Sequence, residues 1–99
     1  MSGPIYKVFL FRNTEAYYQA SEAERNEFLS KLEAAFQKVG GKRLVMCNSY
    51  WSSDQWSIFG VEVFPDIEAV QQYSEAMNEL NMPRYVESMS VLGTELQTP

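Results

Sequence analysis

Glu62 and Lys7 are the two residues whose types and positions best suit acid–base chemistry. Each is an ionisable residue within an otherwise largely apolar, strand-like segment, residues 56–64 for Glu62 and 5–12 for Lys7. Desolvation raises the pKa of a carboxyl group and lowers the pKa of a lysine. We predict Glu62 as a catalytic acid or base and Lys7 as its electrostatic partner, with a Schiff base at Lys7 as a further option. Alternatively, the two side chains form an ion pair whose role is structural.

Four aromatic residues are candidates for the wall of a substrate pocket. Aromatic rings can stack on a planar ligand, and a tyrosine can also donate a hydrogen bond to it. The alternative for the tryptophans is packing across a hairpin, and for the tyrosine it is anchoring a loop to the core. The predicted substrate-binding residues are Phe9, Tyr17, Trp51 and Trp56.

The absence of histidine excludes several classes of site. The chain has no His and a single cysteine, Cys47. Serine–histidine and cysteine–histidine nucleophile pairs, His-ligated haem and most catalytic zinc sites therefore have no counterpart here. The sequence also shows neither a glycine-rich phosphate loop nor a carboxylate-rich calcium loop. We expect no metal, no cofactor and no internal disulfide.

Composition indicates one folded domain. The 99 residues are 45% hydrophobic, enough for a single core, and we predict one domain over residues 1–99. The net charge of −5 disfavours nucleic acid and anionic membranes as partners. No apolar run approaches the roughly 20 residues that span a bilayer, and the first residues lack the apolar stretch of a signal peptide. We expect a cytoplasmic protein.

Periodicity predicts the element order β-α-β-β-α-β. Ser21 and Glu24 form a capping box at the start of the first helix, which Gly40 and Gly41 end. Asp66 caps the second helix. The connection over residues 13–20 is predicted to be a loop, and a short extra turn is predicted over residues 83–87. The predicted strands cover residues 5–12, 42–51, 56–64 and 89–96.

This order predicts a ferredoxin-like α+β fold, a four-stranded antiparallel sheet with two helices on one face. A turn over residues 52–55 would place Trp51 opposite Trp56 and Val45 opposite Glu62. The helices would then cover Val61 and Val63. The other face would carry Glu62 together with six aromatic or aliphatic residues, Phe9, Phe11, Trp51, Trp56, Ile58 and Phe64. A monomer seldom exposes so large a patch, so we predict a homodimer.

Two segments resemble a known group of proteins. The stretch YWSSDQWSIFGVEVFPDIEAVQQY, the closing MPRYVESMSVLGTEL and the order of elements are similar to the dimeric α+β barrel superfamily, most closely to a small bacterial family of unknown function. The resemblance implies two sheets packed into a barrel whose interior can hold a small organic ligand. Members include cofactor-independent monooxygenases, lactone isomerases, polyketide cyclases and haem-degrading enzymes. Without histidine, the His-dependent members are poor models, and no catalytic residue carries over.

Three functions are consistent with these features. The first is an enzyme that binds a small hydrophobic or aromatic metabolite in the barrel interior and acts on it without a cofactor, by oxygenation or by isomerisation or cyclisation. The second is a non-catalytic ligand-binding or assembly module. The third is a protein that holds haem or another cofactor without histidine.

Overall fold

The computed structural model describes residues 3–97, which form four strands and four helices. The predicted β-α-β-β-α-β order is confirmed, with two short helices added. The elements are β1 Ile5–Asn13, α1 Glu15–Gln19, α2 Glu22–Lys38, β2 Lys42–Asn48, β3 Ile58–Phe64, α3 Ile67–Glu79, α4 Met82–Tyr85 and β4 Val86–Gly93.

The strands form one antiparallel sheet in the order β2-β3-β1-β4. In the β1–β3 pair, Lys7 lies opposite Glu62 and Phe9 lies opposite Gly60. This is the topology expected when two β-α-β crossovers flank a hairpin. The predicted ferredoxin-like architecture is therefore confirmed.

The predicted caps set the limits of the two long helices. The amide of Glu24 donates to Ser21 Oγ at 3.1 Å, and the Ser21 amide donates back to the Glu24 carboxylate at 3.4 Å. The Ala69 amide donates to Asp66 Oδ1 at 2.8 Å at the start of α3. Gly40 has a φ of +82° just after α2, in the left-handed region that glycine adopts without strain.

The connection between β2 and β3 is longer than predicted, and it removes both tryptophans from the strands. Residues 49–57 lie between the two strands. Short polar side chains hold this segment: Ser49 Oγ donates to the Trp56 carbonyl at 2.9 Å, and the Trp56 amide donates to Ser53 Oγ at 2.9 Å. Serine hydroxyls that bond to nearby backbone compete with strand pairing. The predicted pairing of Trp51 with Trp56 was therefore wrong.

Two other predicted boundaries were also wrong. Tyr17 and Tyr18 lie in the short helix α1 rather than in a loop. The last strand, β4, begins at Val86 and ends at Gly93, three residues earlier at each end than the predicted strand over residues 89–96. The short helix α4 is correspondingly earlier than the predicted turn over residues 83–87.

The core lies between the sheet and the two long helices. Phe36 of α2, Phe64 of β3 and Tyr73 of α3 are all buried, with ring centroids 5.3 to 5.7 Å apart. Ile5 and Val70 complete the same cluster. The cluster fills one end of the helix–sheet layer, where β1 begins and β3 ends.

The helices cover the face of the sheet opposite to the one we predicted. Phe64 packs against both long helices, and Glu62 and Phe9 lie on the same side of the sheet as Phe64. Within β1 and within β3, the residues that share a face were predicted correctly. On β2 they were not, because Val45 lies opposite Val61 instead of Glu62. Which face of the sheet the helices cover was also predicted wrongly. A one-residue difference in register, Asn48 rather than Ser49 opposite Ile58, and an irregularity between Arg43 and Val45 reverse the assignment on β2.

The uncovered side of the sheet is apolar across all four strands. Val45, Val61, Val8 and Val91 lie side by side in one row, one from each strand. Val8 is 42% exposed and Val91 is 60% exposed. We call this surface the apolar face; it consists of Val8, Leu10, Val45, Cys47, Phe59, Val61, Met89 and Val91.

No helix within residues 3–97 combines the length and the apolar character needed to cross a membrane.

Candidate functional site

A cleft of about 970 Å³ lies between the helices and the covered face of the sheet. It begins where the core cluster ends, because Ile5 belongs to the core while Lys7, Phe9 and Phe11 line the cleft. At about 3.3 Å per residue, Lys7 and Phe11 are about 13 Å apart along β1. The volume is at the upper end of the range for small-molecule sites. Its apolar lining includes Phe9, Phe11, Phe28, Leu29, Leu32 and Met77.

One end of the cleft is charged. Lys7 Nζ lies 4.0 Å from Glu62 Oε1, and Arg43 Nη2 lies 3.3 Å from Glu62 Oε2. Arg43 also contacts Glu33 of α2, with 3.3 Å between Nη1 and Oε2. Glu62 is only 5% exposed, whereas Glu33 is partly open to solvent. The charged end, as we call it, is therefore Lys7, Arg43 and Glu62, with Glu33 at its rim.

Burial changes the acid–base properties of the charged end. Desolvation raises the pKa of Glu62, and this effect outweighs the opposing attraction of Lys7 and Arg43. Desolvation also lowers the pKa of Lys7, against the opposing influence of Glu62. Burial, followed by the charge of Glu62, raises the pKa of the nearby Tyr73 phenol. Perturbed pKa values caused by burial beside a charged partner are typical of functional sites, and they are also found in structural ion pairs.

Close packing of Phe9 against the sheet shapes the floor of the cleft. A Cβ atom at Gly60 would lie 2.6 Å from Phe9 Cζ and 2.5 Å from the Val45 carbonyl oxygen. The phenyl ring therefore occupies the space above the glycine. Phe11 stacks beside Phe9, with 6.1 Å between ring centroids. Gly60 thus allows an aromatic floor next to the charged end.

The short helices α1 and α4 lie at the opposite end of the cleft. Thr14 links them, because its hydroxyl donates to the Arg84 carbonyl at 2.6 Å and its amide donates to the Tyr85 carbonyl at 2.9 Å. Tyr17 of α1 lines the cleft, and the Arg25 guanidinium lies 5.7 Å from its ring centroid. The cleft therefore runs from the charged end to a region bounded by α1 and α4.

The structure brings together four of the six predicted site residues. Lys7, Phe9, Tyr17 and Glu62 all line the cleft. The other two lie outside the cleft: Trp51 is 82% exposed in the β2–β3 connection, and Trp56 lies beside Arg12, 5.9 Å from guanidinium to ring. The cleft lies under the helices and not on the uncovered face of the sheet, where the site was predicted.

Sequence reasoning missed Arg43 and Tyr73. Neither residue is among the six predicted site residues. A signal for Arg43 was present, because opposite charges favour direct pairing across strands and Arg43 lies opposite Glu62. That pair would have set the register at the start of β2, but not beyond the irregularity between Arg43 and Val45.

Comparisons with known proteins bear on the fold. No protein-family model matches the chain, and no curated protein matches it. A solved protein of unknown function from Rhodopseudomonas palustris is 18% identical, with a TM-score of 0.67 over 99% of this chain and 86% of that chain. A dabb family protein with a ferredoxin-like fold from Mesorhizobium loti is 16% identical, with a TM-score of 0.63 over 96% and 99% of the two chains.

The chain has a ferredoxin-like fold. SnoaB, a cofactor-independent oxygenase from Streptomyces nogalater, has the same overall fold, with 16% identity and a TM-score of 0.54 over 98% of this chain and 97% of SnoaB. At these identities the similarity is one of fold, and a shared fold does not by itself establish a shared reaction. The function must be argued from the cleft.

Residues 3–97 contain no group of three or more His, Cys, Asp or Glu side chains arranged to hold a metal ion. The charged end has a single buried carboxylate between two cations. Such a set can move protons and stabilise negative charge on an oxygen atom.

Proposed function

We propose that the chain binds a small, hydrophobic, aromatic molecule in the cleft and that Glu62 transfers a proton to or from it. The observation that supports this most directly is the shared location of the buried Glu62 and Lys7 with an apolar and aromatic wall. A large apolar pocket with a few convergent polar groups and perturbed pKa values is the usual form of a small-molecule site.

The roles follow from the contacts at the charged end. Glu62, whose pKa is raised by burial, can remove a proton from an activated C–H or O–H group and return it elsewhere. Lys7 can stabilise the negative charge that then develops on a substrate oxygen. Phe9 and Tyr17 hold the ring system. Oxygenation and isomerisation or cyclisation can each begin with this proton transfer, and the fold shared with a cofactor-independent oxygenase favours oxygenation by analogy only.

The test begins with native mass spectrometry of the protein purified from its own host, which would detect a retained ligand. Turnover of the molecule identified should then be lost in Glu62→Gln, because the amide cannot exchange a proton. Glu33→Gln is the matched control, since Glu33 is the other acidic partner of Arg43 and lies at the rim. Turnover that survives in Glu62→Gln would rule out Glu62 as the acid or base.

A second function, ligand binding without catalysis, is favoured by one feature of the same residues. Glu62 contacts both Lys7 and Arg43, so the three side chains also satisfy the requirement that buried charges be paired. In that case the ligand would be recovered unchanged after incubation with the wild-type protein. Glu62→Gln would then alter stability and affinity but no reaction rate.

We also propose that a second copy of the chain covers the apolar face. Its four-strand row of valines would otherwise be a larger apolar patch than monomers usually expose. Val8→Lys, near the centre of the face, should convert a dimer into a monomer in sedimentation equilibrium. Tyr50→Lys, in the exposed β2–β3 connection, is the control. A wild-type monomer, or a Val8→Lys dimer of unchanged affinity, would contradict this proposal.

A further inference from the structure

We propose that the cleft ligand carries a carboxylate group, which binds the ammonium group of Lys7 while the apolar body of the ligand lies along Phe9 and Phe11. This inference rests on the proposed function and specifies its substrate class, an aromatic carboxylic acid.

Behind the rim, the charges at the charged end are unequal in number. Lys7 and Arg43 supply two positive charges, and Glu62 supplies one negative charge between them. Glu33, which would balance the sum, contacts Arg43 from the partly exposed rim and does not contact Lys7. Solvent screens a rim charge more than a buried one. An anion at Lys7 would therefore balance the charge on the inner side of the cleft.

The two cations also differ in how well they are paired. Arg43 has two contacts of 3.3 Å, one to Glu62 and one to Glu33, both within hydrogen-bonding distance. Lys7 Nζ lies 4.0 Å from Glu62, which is too long for a hydrogen bond. An ammonium group has three donors, and a carboxylate is a strong acceptor for them. Among the described residues, Lys7 is thus the cleft cation with hydrogen bonds left to make.

The positions along β1 fit an elongated molecule with one acidic end. Lys7, Phe9 and Phe11 follow at alternate positions, so the rings lie about 7 and 13 Å from Lys7 along the strand. On β4, Ser90 lies opposite Phe9 and Ser88 lies opposite Phe11, and both serines line the cleft. The rings of such a ligand can contact the phenyl groups of Phe9 and Phe11, and oxygen substituents on those rings can bond to the two serines. The carboxylate end is then placed at Lys7.

Binding of an anion has a measurable consequence for protons. A negative charge beside Lys7 raises the pKa of its ammonium group, and the same charge raises the pKa of the nearby Glu62. Both effects have the same sign, because each increases the number of protons bound. Binding should therefore be accompanied by net proton uptake.

The experiment compares acids with neutral amides of the same shape. Isothermal titration calorimetry would measure the affinity of benzoate, 2-naphthoate and anthracene-2-carboxylate, each beside its primary amide. In the wild-type protein at least one acid should bind about tenfold more tightly than its amide, a difference of about 1.4 kcal/mol. Repeating the titration in buffers of different ionisation enthalpy should show proton uptake for the acid and not for the amide.

Lys7→Met should abolish the preference for the acid and leave the affinity of the amide within about twofold. Lys38→Met, which removes an exposed lysine at the end of α2, is the control for net charge and should change neither affinity. The comparison of acid with amide in the wild-type protein does not depend on the variant, so it tests the inference even if Lys7→Met fails to fold.

The outcomes separate this inference from the proposed function. If the amides bind as tightly as the acids, or if Lys7→Met retains the preference for the acid, the carboxylate inference is overturned and an aromatic ligand remains supported. If none of the six compounds binds, the proposed aromatic ligand and the carboxylate inference are both overturned.

Discussion

Replacing Gly60 with alanine should destabilise the protein and narrow the cleft. The added methyl group would lie 2.5 Å from the Val45 carbonyl oxygen and 2.6 and 2.9 Å from two atoms of the Phe9 ring. All three distances are well inside the 3.4 Å at which ordinary contact begins. The Phe9 ring can turn toward the cleft, but the carbonyl belongs to the backbone of β2, so that strand must shift.

Overpacking of this kind costs about 1–3 kcal/mol of unfolding free energy. For a domain of this size, each kcal/mol lowers the melting temperature by about 4–8 °C. Urea denaturation followed by tryptophan fluorescence would measure the first quantity, and calorimetry would measure the second. Because Phe9 is displaced toward the cleft, the affinity for an aromatic ligand should fall as well.

Gly93→Ala is the matched control for this change. Gly93 lies at the end of β4, and a Cβ atom there would meet nothing within 4 Å. The control should change stability by no more than about 0.5 kcal/mol. The double variant Phe9→Leu/Gly60→Ala should lose less unfolding free energy than the two single variants added together, by about 0.5 kcal/mol or more. The two losses are not additive because the residues are in contact. A Gly60→Ala protein as stable as Gly93→Ala would refute the packing argument.

Three further predictions concern charge, capping and the exposed tryptophan. Because burial raises the pKa of Glu62, the folded state holds this proton to a higher pH than the unfolded state does. The contribution of Glu62 to stability therefore falls as pH rises from about 4.5, and Glu62→Gln should remove this contribution from the pH dependence of stability measured by urea denaturation. An unchanged pH dependence would contradict this prediction. Asp66→Ala should lower the free energy of unfolding by about 1 kcal/mol, because the α3 cap is lost. Gln71→Ala, within α3, should lower it by less than half as much, and equal losses would contradict a stabilising role for the cap. Trp51→Ser should leave ligand affinity unchanged by fluorescence titration, because Trp51 lies outside the cleft; weaker binding would return it to the site.

Local sequence signals predicted most of the fold. The helix starts at Ser21 and Asp66 depend on side chains and amides within one turn, so they were predictable without tertiary information. The pairing of Lys7 with Glu62 was also predicted as one of two alternatives, and the 4.0 Å contact confirms that the two side chains are neighbours. Whether they perform catalysis stays a prediction.

The β2–β3 hairpin was less predictable because its connection is irregular. The hydrogen bonds of Ser49 and Ser53 stabilise a longer segment than the four-residue turn that the composition favoured. That difference moved both tryptophans out of the predicted pocket wall. It also moved Arg43, whose contact with Glu62 was missed, into the charged end.

The sequence by itself determined which residues of β1 and which residues of β3 share a face of the sheet, because side chains alternate with a period of two along a regular strand. It could not determine which face the helices cover, since both faces of β1 and β3 are largely apolar and either would supply a core. Only the tertiary structure decided this, by placing Phe36 and Tyr73 of the helices against Phe64. The rings of Phe9 and Phe11 and the Lys7–Glu62 pair then line the cleft between the helices and the sheet, and mainly aliphatic side chains form the apolar face.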